Sequence, residues 1–311
     1  MWSNSPGLQP RSLLSAQDQF NELLEQLNIS LTLSPTEKLS QLQSLSSEQI
    51  LAPLNKISSK VVGPRPLIYH QYRAVTDGAF VRKSLFSDIN NGVFARRLKE
   101  RHIRIILGEC RDEHFLYALW HPPSSFREMY TRLLADYPES GVKAIMKHFC
   151  PNGTLPDKYK TWQEFFGNVY ADVQVYLVQR GFINQLASHG ASDLLYRYRI
   201  EWRASCVTLP PEWGVTHTSD VCSVWFFGDG ARLSKKEQQV AKDSYLNILA
   251  KYVRGEDIRG SWGTRSTADM RRLRSDGTVD SWRDNRWSEG VQLWQELIDA
   301  GALGSTIRAK L

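Results

Sequence analysis

The sequence predicts an α/β architecture. Helix-period apolar patterns recur along most of its 311 residues, two β-rich apolar runs stand between them, and capping boxes mark several helix starts. The first 55 residues read as three helices. Ser15 opens one, and Phe20, Leu23, Leu24 and Leu27 fall on one face. Ser34-Pro35-Thr36-Glu37 is a capping box with proline at the first helical position, followed by Leu39, Leu42 and Leu45. Ser46-Ser47-Glu48-Gln49 is a second box, leading into Ile50, Leu51 and Leu54. Residues 58–82 are less regular, with Pro64, Pro66 and the Asp77-Gly78 pair marking a loop and a turn.

Residues 85–102 hold a helix ending in Arg96-Arg97-Leu98-Lys99, and 103–107 form a short apolar run ended by Gly108, the pattern of a buried strand. Helical patterns return over 125–135, 141–149 and 162–186. In the second strand Leu194, Tyr196, Tyr198 and Ile200 alternate with Leu195, Arg197 and Arg199. A proline loop follows at 209–213. Ser234-Lys235-Lys236-Glu237 caps a helix whose Tyr245, Ile248, Leu249 and Tyr252 share a face, with Gly255 as its stop, and a last amphipathic helix covers 288–300. Two strands make a small sheet for a chain this long. Either further strands have weaker patterns, or part of the sheet is not encoded here.

Composition narrows the class. Apolar residues make up 41% and charged residues 23%, so the chain buries an ordinary globular core. No apolar stretch reaches the length of a membrane span. Residues 1–10 lack a basic segment followed by an apolar one, so no secretory signal is read and a cytoplasmic location is expected. Cys110, Cys150, Cys206 and Cys222 form no Cys-x-x-Cys pair and read as free thiols. The net charge of +6 is concentrated over 254–286, where Arg271, Arg272 and Arg274 lie near Trp262, Trp282 and Trp287. Asp269, Asp276, Asp280 and Asp284 dilute that field, so the segment reads as solvated surface and no nucleic-acid partner is expected.

Two residues stand where chemistry is done. His217 lies in a loop after the second strand, with Asp220 three residues on to orient it; a surface histidine beside a turn-forming aspartate is the blander explanation. Glu113 lies just past the end of the first strand, where open α/β sheets place active residues; a solvated acidic loop paired to Arg111 is its alternative. The seven histidines show no metal-binding spacing, and neither metal nor cofactor is expected. A nucleophile is missing. Ser192 in Gly190-Ala191-Ser192 comes closest to a Gly-x-Ser-x-Gly elbow, but the second glycine is absent, the chain runs from helix into strand, and the acid does not lie between Ser192 and His217.

These pieces together resemble the type-B carboxylesterases and cholinesterases. Pro211-Glu212-Trp213-Gly214-Val215-Thr216-His217-Thr218-Ser219-Asp220, followed by Val224 to Gly228, is similar to that family's catalytic-histidine segment, and Leu107 to Glu113 to its catalytic-acid segment. Ser5-Pro6-Gly7, Thr76-Asp77-Gly78-Ala79-Phe80 and the tryptophans 282, 287 and 294 resemble further stretches, closest to fungal members. The resemblance implies an α/β-hydrolase fold and a small-molecule ester substrate. It implies His217 as general base, Glu113 as triad acid, Asp220 as support for the histidine, and Trp202, Trp213 and Trp225 either lining a pocket or packing the core. The family's nucleophile elbow and oxyanion glycines precede the Ser-Pro-Gly stretch, so the chain reads as the C-terminal portion of one such domain, with an incomplete sheet. A serine esterase completed by an N-terminal half is the first expectation, and a non-catalytic, esterase-like binding protein the alternative.

Overall fold

The capping boxes start helices because each satisfies two backbone donors that a helix end leaves unpaired. In the computed structural model, which describes residues 7, 10–59, 74–225 and 232–304, Ser34 Oγ accepts from the Glu37 N–H at 3.3 Å. The Glu37 carboxylate accepts from the Ser34 N–H at 2.8 Å. Ser46 and Gln49 repeat the exchange. Helices Leu13–Gln26, Pro35–Gln43 and Ser47–Ser59 follow as expected, the last running through Pro53. Pro35–Gln43 buries none of its residues, so its cap supports it more than packing does. Arg11–Ser12 (β1) and Val75–Thr76 (β2) make a short parallel pair. The expected prolines 64 and 66, Ser5, Pro6 and residues 226–228 lie outside the described residues.

The main sheet has the order β3-β4-β5-β6. The first expected strand starts two residues late and continues through Gly108: β3 is Ile105–Cys110. It pairs in parallel with β4, Leu195–Ile200, in a register that sets Gly108 opposite Tyr198. A Cβ at Gly108 would lie 2.2 Å from the Tyr198 ring, so the glycine is required by close packing. Parallel pairing of β4 with β5 (Asp269–Leu273) and an antiparallel turn to β6 (Val279–Arg283) complete the sheet.

This adds strands that the apolar pattern did not show. The arginine-rich segment, expected as solvated surface, forms a hairpin in the sheet, with Arg272, Arg274, Asp280 and Arg283 still partly exposed. Its acids serve as partners: Arg272 donates to both oxygens of Asp280 at 2.9 and 2.6 Å, and Arg283 to Asp269 at 3.1 Å. The apolar alternation that flags a strand is absent because ion pairs occupy the positions where it would show.

Both faces of the sheet are covered. One face, with Ile106, Tyr196, Tyr198 and Ile200, packs under the helix that begins at Lys235 and under Trp262. The other meets the long helix made of Trp162–Ala171, a wider π-turn at Asp172–Tyr176, and Leu177–Leu186, together with the last helix Trp287–Asp299. Gly181 lets the two helices touch, since a Cβ there would lie 2.2 Å from Trp294.

On this second face the strands are polar. Glu109, Arg197 and Arg199 project toward Arg180 of the long helix. Arg180 binds Glu109 at 2.8 Å, Arg197 binds Asp284 at 2.7 Å, and Arg199 also binds Glu109. Glu109, Asp284, Arg180 and Arg197 are all buried.

Candidate active site

Two loops leave the same end of the sheet, one from β3 and one after β4. Beyond the sheet they stay tied. The Arg111 N–H donates to the Ile200 carbonyl and the Asp112 N–H to that of Val215, each at 2.9 Å. The Val215 N–H donates to Asp112 Oδ2 at 2.8 Å. Gly214 makes this approach possible: its φ is +59°, and a Cβ would stand 2.1 Å from that same carboxylate oxygen. The tie delivers Glu113 and His217 to one place across 104 residues of sequence.

His217 Nδ1 lies 2.5 Å from Glu113 Oε2. Glu113 is fully buried, and its other oxygen accepts from the Cys110 N–H at 2.8 Å. His217 keeps 14% of its side chain exposed. Burial alone would lower its pKa, but the Glu113 hydrogen bond and charge, with a smaller contribution from Asp220, outweigh it and raise the imidazole above its ordinary value. Nδ1 engaged by a carboxylate leaves Nε2 as the nitrogen able to take a proton from a substrate or nucleophile.

Asp220 does not touch the histidine. Its Oδ2 accepts from the Tyr198 hydroxyl at 2.9 Å and the Trp225 indole N–H at 3.1 Å, deep in the core. It reaches His217 only as a nearby charge. Asp220→Ala removes the acceptor that the Tyr198 hydroxyl and the Trp225 indole share, and each buried hydrogen bond lost costs ~1–3 kcal/mol. We expect a loss of about 2–4 kcal/mol in chemical unfolding, with the His217–Glu113 contact intact by NMR.

Ser192 is held elsewhere, before the start of β4, a strand length of about 20 Å from the end that carries His217. Cys110 is no substitute nucleophile, because burial and the charges of Asp220 and Glu113 push its thiol pKa well up. Trp202 and Trp225 pack in the core. The aromatic neighbours of His217 are instead Tyr117, with ring centres 5.2 Å apart, and beyond it Trp120, 5.0 Å from Tyr117. Glu113 and Tyr117 bracket the short helix His114–Tyr117, and that spacing of four could have flagged Tyr117. Among the described residues no group of three metal-ligating side chains comes together, and no helix is long and apolar enough to cross a membrane.

No protein-family model matches the chain. It is 40% identical to a carboxylic ester hydrolase of Gibberella moniliformis over 99% of its own length, and 31% identical to an uncharacterized esterase/lipase of Schizosaccharomyces pombe over 97%. These relatives support an esterase family for the chain. It spans about half the length of each, 55% and 54%. The crystal structure of Aspergillus niger EstA superposes on 96% of the chain and 58% of EstA, with a TM-score of 0.65 at 13% identity. That likeness shows the fold, an α/β hydrolase.

Proposed function

We propose that this chain supplies the base and the acid of a carboxylic-ester hydrolase of the type-B carboxylesterase kind, acting on small-molecule esters by serine acyl transfer. The observation that carries it is the buried Glu113 carboxylate on His217 Nδ1 at 2.5 Å. A buried carboxylate there fixes the tautomer and stabilises the imidazolium that forms when Nε2 accepts a proton. In the proposed reaction a serine attacks the ester carbonyl while His217 takes its proton. His217 then returns that proton to the departing alcohol, and a water repeats the steps to free the acid. The 311 residues contain no Gly-x-Ser-x-Gly elbow, and roughly half of the relatives' length has no counterpart here. The serine and oxyanion donors therefore come, in this proposal, from a further segment of polypeptide.

The test is labelling with a fluorophosphonate probe, which reacts with an activated serine. This chain alone should not label, while a product that also carries the remaining segment should label and turn over an aryl ester. Failure of the longer product would favour the esterase-like binding protein, and labelling of the chain alone would place a nucleophile within it, with Ser192 first to examine.

A further inference from the structure

The π-turn at Asp172–Tyr176 widens the long helix by one residue, which rotates the following turns by about 100° relative to the preceding ones. After that offset, three polar side chains at i, i+3 and i+4 lie along β3 and its exit. Arg180 holds Glu109, Gln179 Nε2 donates to the Gly108 carbonyl at 2.9 Å, and Tyr176 reaches the acid turn itself. The Tyr176 hydroxyl accepts from the Glu113 N–H at 2.9 Å. Its oxygen lies 2.7 Å from the Arg111 carbonyl oxygen and 3.0 Å from that of Cys110, and its single proton is donated to this pair. One buried hydroxyl thus gathers three backbone groups of the turn that aims Glu113.

We infer that Tyr176 is a positioning residue: its hydroxyl, brought in by the π-turn, sets the backbone of residues 110–113 so that the Glu113 carboxylate meets His217 Nδ1. The turn has other support in the Cys110 N–H on Glu113 and the Asp112–Val215 ties. Those bonds hold the carboxylate and the neighbouring loop. Among the described residues' hydrogen bonds, the Tyr176 hydroxyl is the partner of the Glu113 N–H, which governs how the carboxylate-bearing residue is turned. Replacing the hydroxyl leaves the aromatic ring to pack and frees only the turn. The inference rests on the reading of Glu113 and His217 as a pair.

The test follows the His217 imidazole of this chain by nitrogen NMR across pH, with a His217→Gln sample for assignment. The groups facing it are Glu113, Tyr117 and, through its charge, Asp220. Glu113→Gln calibrates the loss of the pair and should move the titration to lower pH. Tyr176→Phe should move it in the same direction and remove the deshielded Nδ1 proton signal, while unfolding cooperatively. Gln179→Met removes a bond from the same helix face to the same strand, away from the acid turn. It should lower stability and leave the titration where it is.

A Tyr176→Phe titration coincident with wild type overturns the inference, as does a Gln179→Met titration that shifts as far. An unmoved Glu113→Gln titration instead sinks the pair, a separate failure. Should Tyr176→Phe not fold, amide exchange in the unaltered chain decides. The Glu113 N–H should exchange slowly, and fast exchange there overturns the role given to Tyr176.

Discussion

His217→Ala should abolish turnover in a polypeptide that carries this chain together with the proposed serine, a loss on the order of a millionfold in kcat. Glu113→Gln should cut kcat by about ten-thousandfold, equivalent to ~5.5 kcal/mol of transition-state stabilisation. The amide keeps the shape of the side chain but can hold the wrong imidazole tautomer and carries no charge against the imidazolium. The pH profile adds a signed expectation. The base must be neutral to act, and Glu113 raises the His217 pKa despite burial. In that polypeptide with Glu113 in place, kcat/KM should therefore fall as pH drops through a value above that of an ordinary histidine. In Glu113→Gln the plateau should be lower and this limb displaced to lower pH. Steady-state rates on an aryl ester across pH measure both effects. A Glu113→Gln enzyme with near-normal kcat would remove Glu113 from the chemistry.

Glu109→Gln should lower stability by about 3–5 kcal/mol. Glu109 is wholly buried, and Arg180, Arg199 and Arg197 surround it. Burial alone would raise its pKa, yet the guanidiniums outweigh that and bring it from 4.5 to about 2. Removing this carboxylate leaves Arg180, Arg197 and Arg199 with only Asp284 and Glu201 to balance them, an excess of buried positive charge. Because the folded-state pKa is depressed, the stability Glu109 contributes is present above the unfolded value near 4.5 and is lost as pH falls toward 2. Between pH 7 and pH 3 the unaltered chain should lose roughly 2 kcal/mol more than Glu109→Gln does. Urea unfolding of both proteins at the two pH values checks the size and sign. Equal losses would show that Glu109 titrates normally.

Much of the local structure was legible. The Ser34, Ser46 and Ser234 boxes all form as expected, because a cap is decided by residues within one turn of each other. The long helix at 162–186 and the strand at 194–200 announced themselves by period, although the π-turn inside the helix left no mark. β5 and β6 were illegible for a physical reason. Arg271, Arg272, Asp269 and Asp280 read as solvated charge, and only pairing with one another and with β4 makes them strand residues. The buried side of β4 was hidden in the same way. Arg197 is 1% exposed because Asp284, 87 residues away, compensates it. No window of sequence shows such a partner.

At the candidate site, the sequence by itself determined the residue types, their order and their place after strands: Glu113 beyond one, His217 beyond the next. Tertiary structure decided which carboxylate meets the imidazole. Asp220, three residues from His217, is turned into the core by Tyr198 and Trp225. Glu113, 104 residues away, is in contact. Parallel pairing of β3 with β4, continued past the sheet by Asp112 and Val215, brings the two exits side by side, and that long-range register overrides nearness in the chain.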